Sequence, residues 1–326
     1  MDREQATIDS IYSPILEQLT LVEKELQALA PSSHPVMGEF LAHLFSNSGK
    51  LMRPAITLLA SRFHPNDGKL PVTMATAVEL LHLASLVHDD TVDHAPVRRG
   101  VATVSSLWGR DVAVQVGDFV FATSAVFVCN TCNVRVIRRF SETIRDLAVG
   151  QLMESSGTFR CDHTREQYQE RIYNKTASLF STAAESGAIL SGAPEATVQA
   201  MKKYGRDLGM AFQIVDDILD FEGTEEEVGK PVGHDLLEGV LTLPAMLLLE
   251  RYPEDNPIVP LFQGQDPEGN LQKAVAMIRD SKVLDDACAV ARGFCVEAGR
   301  ALQDLPDTTE RQSLLNLLEY VTNRRM

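Results

Sequence analysis

"AVELLHLASLVHDDTVDHAPVRRG", Ala77 to Gly100, joins an apolar run to three aspartates and two arginines. Apolar residues recurring at three and four predict a helix with a buried face. Its aspartates fall late, where the backbone dipole disfavours anions. Asp89 and Asp93, four residues apart, lie one above the other, with Asp90 about 100° around the axis. Like charges at that spacing cost a bare helix a few tenths of a kcal/mol, so a compensating cation is expected.

Outward from this stretch the same periodicity dominates. No run of alternating β-branched residues is bounded by hairpin turns, which predicts an all-α fold. Helices are expected near 3–30, 36–47, 52–64, 72–94, 109–134, 136–157, 165–191, 195–222, 239–251, 270–281, 283–303 and 308–323. The breaks between them carry Pro and Gly but are too short for a flexible linker, so residues 1–326 are expected to form a single domain. "VDDILD" at 215–220 repeats the first aspartate pattern: Asp216, Asp217 and Asp220 follow the apolar "LGMAFQIV". Asp285 and Asp286 form a DD pair without a third carboxylate at the right spacing, and are assigned to the surface.

Forty-five Asp and Glu against thirty Lys and Arg leave a formal charge of −15. Such a chain repels nucleic acid, and an acidic site that binds an anionic substrate needs a cation. Oxygen-only clusters without cysteine or spaced histidine suit Mg²⁺, which bridges a few carboxylates to phosphate oxygens. Arg98 and Arg99, and the pair Lys50 and Arg53 in "SGKLMRP", are placed to bind phosphate. The N-terminus lacks an export pattern, and Gln115 and Asp118 interrupt the apolar Val112–Cys129, so a cytoplasmic protein with no membrane span is expected. The CxxC at Cys129 and Cys132 has no second pair at metal spacing, and both cysteines are read as helix-packing residues. Phe119, Phe121, Phe180 and Phe212, at helical spacing, are assigned to the core.

The motifs "SGKLMRP", "ELLHLASLVHDDTVDHAPVRRG", "GDFVFA", "KTASLF", "FQIVDDILDFEG", "GKPVGHD" and "EGVLTLP" resemble the polyprenyl synthetase family, the all-trans isoprenyl diphosphate synthases. The resemblance implies the isoprenoid synthase fold, a helical bundle around a central cavity. It also implies a prenyltransferase of isoprenoid biosynthesis that condenses isopentenyl diphosphate 1'-4 onto an allylic diphosphate, and a homodimer buried through the 109–157 region. By motif position it makes Asp89, Asp93 and Asp216 direct Mg²⁺ ligands, around three ions with diphosphate bound. Asp90, Asp217 and Asp220 become ligands or supports. Arg98, Lys175, Gln213 and Lys230 would hold the allylic diphosphate, and Lys50, Arg53, His82 and Arg99 the isopentenyl diphosphate. Thr176 would steady the cation. Ser48, His234 and Val240 stand where the family pattern has glycine, lysine and lysine, and the tail "NRRM" carries Arg324 and Arg325.

Family members floor their product cavity with bulky residues four and five positions before the first aspartate. Here Ser85 and Ala84 are small, and Leu81 lies one turn, about 5.4 Å, further down. A long product, C30 to C50, is expected, with C20 to C25 as the alternative. A terpene cyclase-like enzyme and a non-catalytic partner subunit are the remaining alternatives. Both carboxylate clusters are whole, which disfavours them.

Overall fold

Pro14 breaks what periodicity reads as one helix over 3–30. In the computed structural model, which describes residues 2–32, 34–46, 49–222 and 232–323, α1 (Asp2–Tyr12) passes through a 3-10 turn at Ser13–Ile15 into α2 (Leu16–Ser32). Proline supplies no N–H to continue the ladder. There follow α3 (Pro35–Phe45), α4 (Met52–Ser61) and α5 (Lys69–Val92). Next come strands β1 (Val97–Arg98) and β2 (Val101–Ala102), α6 (Val104–Trp108), α7 (Arg110–Asn130) and α8 (Val134–Ser156). Helix α9 (Arg165–Ile172) opens with a capping box from Thr164 and Gln167, then widens into a π turn at Tyr173–Ala177 before α10 (Ser178–Leu190). The remainder is α11 (Glu195–Glu222), α12 (His234–Leu237), α13 (Leu243–Arg251), α14 (Ile258–Phe262), α15 (Pro267–Asp280), α16 (Val283–Ala301) and α17 (Thr309–Asn323).

Two compact units emerge. One is built from the chain up to Ser141 with Thr182–Gly205 and Asp304–Asn316; the other from Glu142–Ser181, Arg206–Gln303 and the chain from Leu317 on. Boundaries fall inside α8, α10, α11 and α17, so neither unit is a continuous piece of sequence. In the first, α5 packs against α4 and α7, burying Ile56, Leu59, Leu80, Leu81, Val116 and Val120. In the second, α13 packs on α15 and α16 around Leu248, Ile278 and Ala291. Each fully buried aliphatic side chain of this kind contributes about 1.5–3 kcal/mol, which far exceeds helix propensity.

The all-α expectation holds, and the β1–β2 hairpin, with strands too short to show alternation, is a local addition to it. Other sequence expectations need correction. Cys129 and Cys132 are exposed rather than packed. Thr131 between them is the buried residue, its hydroxyl donating to the Val128 carbonyl at 2.7 Å, and Cys132 turns left-handed at φ 51°. Phe119 lies 37% exposed on α7, whereas Phe180 is buried and meets the Phe212 ring at a tilt of 41°. Both α5 and α7 are long and apolar enough to cross a bilayer. The fold buries 72% of that stretch of α5 but 33% of that of α7. Asp285 and Asp286 open α16 at the surface, where Asp286 pairs with Arg251 at 2.6 Å. Ser48, Arg324 and Arg325 lie outside the described residues.

Candidate active site

In the first unit α5 ends at Val92 and Asp93 caps it, donating its N–H to the Asp89 carbonyl at 2.8 Å. His94 turns left-handed (φ 54°) and the Ala95 N–H reaches back to the Asp90 carbonyl at 3.0 Å. This Schellman ending satisfies carbonyls that the helix leaves open. The chain then reverses in a hairpin pairing Arg98 with Val101, through Arg99 (φ 50°) and Gly100 (φ 76°). Two successive positive φ values define a type I′ turn, whose second position glycine fills without strain. The reversal lays Arg98 back on the aspartates: its Nε donates to Asp90 Oδ1 at 2.6 Å. Asp90 is 6% exposed, Asp89 half-buried and Asp93 exposed.

Two turns before Asp89, burial and then the charges of Arg53, Arg99 and Arg98 push the His82 imidazole well below its usual range, so it stands neutral. Buried Glu79 sits among the same cations: burial raises its carboxyl, while Arg53 and Arg99 draw it down. The fold therefore brings Arg53 and Arg99 to bear on both His82 and an acid not singled out from the sequence, although Glu79 stands three residues before His82. Lys50 is exposed at the approach to α4, its carbonyl accepting from Tyr12. Below the aspartates, Leu81 and Ala84 are buried, and Ser85 turns its hydroxyl onto the His82 carbonyl at 2.8 Å.

In the second unit Asp217 is 3% exposed and takes two hydrogen bonds, from the Tyr168 hydroxyl at 2.6 Å and the Gln213 amide at 2.8 Å. Gln213 Oε1 in turn accepts from Thr176 at 2.6 Å. Burial and then the charge of Asp235 hold the Asp217 carboxyl up at about 7. The same two causes hold Asp220 at about 8, although the Asp235 N–H donates to it at 3.2 Å. Asp216 is half-buried. Lys175 pairs with Glu154 of α8. It lies on the π turn, which α8 and α11 approach closely: a Cβ on Gly150 would stand 2.5 Å from the Lys175 nitrogen, and one on Gly209 2.6 Å from the Ala177 Cα. Tyr168 and Glu154 carry no pattern that marks them in sequence, whereas Asp235 closes the "GKPVGHD" motif without having been given a role. Lys230 lies outside the described residues.

A sequence profile of the polyprenyl synthetases matches residues 34–278. The chain belongs to the polyprenyl synthetase family. It is 39% identical to a prenyl transferase of Synechocystis sp., over 97% of this chain and 98% of the relative. It is 35% identical to heptaprenyl diphosphate synthase component 2 of Geobacillus stearothermophilus, over 97% and 99%. Its fold matches the crystal structure of heptaprenyl diphosphate synthase from Staphylococcus aureus with a TM-score of 0.92 at 34% identity, covering 96% of this chain and 99% of that one.

Among the described residues no three His, Cys, Asp or Glu side chains converge into a ready-made metal cage. Mg²⁺ asks for less, since it keeps its waters and takes one or two carboxylates plus substrate oxygens. The second cluster fits such an ion: burial and then the charge of Asp235 raise the affinity of both Asp217 and Asp220 for protons, and Asp217 adds to it at Asp220, the electrostatic signature of a site short of positive charge.

Proposed function

We propose that this chain is an all-trans polyprenyl diphosphate synthase that extends an allylic diphosphate with isopentenyl units by 1'-4 condensation and makes a product of C30 to C50. Two whole aspartate clusters, with an arginine hairpin folded back on the first, carry this conclusion. The named heptaprenyl relatives, with seven five-carbon units, support the length.

In the reaction the allylic carbon–oxygen bond breaks, its electrons leave with the diphosphate, and the allylic cation is attacked by the isopentenyl alkene. A proton leaves the new chain for the departing diphosphate. Mg²⁺, held by Asp89, Asp93 and Asp216 and numbering three ions with substrate bound, would neutralise the charge building on the leaving group. Arg98, Lys175 and Lys230 bind the allylic diphosphate. Gln213 orients Asp217 and Thr176 as well. Thr176 presents its oxygen near the cation. Lys50, Arg53 and Arg99 bind isopentenyl diphosphate beside neutral His82, which adds no charge of its own and serves as a hydrogen-bonding group. Asp90, Asp217 and Asp220 support the ligands.

Ala84 and Ser85 leave room for the growing chain, and Leu81 sets the deeper floor. We assign the chain to a single cytoplasmic polyprenyl synthetase domain and to a homodimer paired through α7, whose apolar stretch is mostly uncovered. The name of the Geobacillus relative, a numbered component, favours a second arrangement in which another subunit sets length or activity.

Purified protein incubated with labelled isopentenyl diphosphate and each allylic primer tests the function. Elongation with Mg²⁺ and none with chelator is expected; no elongation until a second subunit is added would select the heteromeric arrangement. Ala84→Phe is expected to shorten the product, and chromatography showing unchanged lengths would sink the floor assignment.

A further inference from the structure

The junction of α1 and α2 embraces both ends of α4. Tyr12, the last residue of α1 and 3% exposed, donates its hydroxyl to the Lys50 carbonyl at 3.0 Å, across 38 residues of chain. Arg62, at the other end of α4, donates to the Pro14 carbonyl at 3.2 Å. Between these two clasps Ile15 is 1% exposed, so the 3-10 turn is seated firmly along α4.

The segment thus held is unusual. Leu51, immediately after Lys50, is left-handed at φ 47° without being glycine, and it is the N-terminal cap of α4, with no side-chain hydrogen bond of its own. Such a conformation crowds the Cβ of any residue but glycine and persists only where neighbouring contacts impose it. On the other side, Gly49 lies against the Arg99 guanidinium: a Cβ there would stand 2.2 Å from Nη1. Residues 49–53 are therefore gripped between Tyr12 and the tip of the β1–β2 hairpin.

We propose that Tyr12 is a positioning residue for isopentenyl diphosphate: its hydroxyl fixes the backbone from which Lys50 and Arg53 project, and the glycine at 49 lets Arg99 close on the same anion. The inference rests on the proposed function, because it assigns a consequence to the residues given there to isopentenyl diphosphate. None of the residues given to the allylic diphosphate, Arg98, Lys175, Gln213 and Lys230, lies in the held segment 49–53, so the effect is confined to one substrate.

Two measurements on Tyr12→Phe test it. The ring is retained, so packing at this buried position is preserved. Amide exchange at residues 50–53 of the ligand-free protein should quicken while α5 stays protected. Calorimetric affinity for isopentenyl diphosphate should weaken about fivefold, the worth of one net hydrogen bond, with KM for the allylic primer and kcat within about twofold of wild type. Gly49→Ala should weaken isopentenyl diphosphate binding by at least as much, with no change in exchange at Tyr12. Unchanged exchange in Tyr12→Phe would overturn the clasp. Quickened exchange with unchanged isopentenyl diphosphate affinity, or equal loss of both substrates, would overturn the positioning role. A wild-type protein that binds no isopentenyl diphosphate would defeat the proposed function, and this inference with it.

Discussion

The two aspartate clusters share a spelling and differ in surroundings. The first closes α5 at a helix end, with one buried carboxylate answered by Arg98 and its outermost carboxylate exposed. The second lies inside the last turns of α11, where Asp217 is buried against Tyr168 and Gln213, and Asp235 adds a further negative charge. An arginine balances the first, whereas protons balance the second near neutral pH. The difference teaches that a motif fixes which atoms can meet a cation, but the fold decides what stands in for that cation beforehand.

The sharpest way to break this comparison is to delete one cluster at a time. Asp89→Ala and Asp216→Ala should each reduce elongation by about a hundredfold or more, since several kcal/mol of barrier depend on each metal contact. Near wild-type turnover in either variant, in a steady-state incorporation assay, would leave one cluster without its role. Smaller changes should separate the environments. Arg98→Gln removes the partner of a buried carboxylate and is expected to raise KM for the allylic primer about tenfold, with Mg²⁺ dependence at the second cluster unaltered. Tyr168→Phe should do the reverse, weakening Mg²⁺ about tenfold as supports of metal ligands commonly do, read from the Mg²⁺ concentration at half-maximal rate.

The smallest effect concerns pH. Asp217 and Asp220 have folded values of about 7 and about 8, above the ordinary aspartate range of roughly 4. The folded state therefore holds more protons than the unfolded one. This contribution to stability is complete below about pH 4 and is lost as pH rises through 7 to 8. Without metal, Tm should fall between pH 5 and 8, and Asp217→Asn should flatten that fall. Mg²⁺ should restore stability at the alkaline end.

Much of this was legible in the chain. The helical period of "AVELLHLASLV" dictates α5, and two DDxxD patterns with RRG and GKP name the chemistry. What escaped depends on contacts that spacing does not encode. The hairpin at 97–102 uses Arg-Gly rather than Asn-Gly, and its strands are two residues each. Pro14 bends the first helix, but only the fold shows that the bend places the Tyr12 hydroxyl on the Lys50 carbonyl. Tyr168 reads as an ordinary aromatic of α9 until burial brings it to Asp217. Cys129 and Cys132 look like packing residues because α7 is apolar all round, yet most of that apolar stretch stays uncovered.

Titration calorimetry of Mg²⁺ into the metal-free protein at pH 7, repeated in buffers of different ionisation enthalpy, counts the protons that binding expels. Release is expected from the wild type and from Asp89→Asn/Asp93→Asn, and should vanish in Asp217→Asn/Asp220→Asn. Binding without proton release, or release that survives loss of Asp217 and Asp220, would contradict the account.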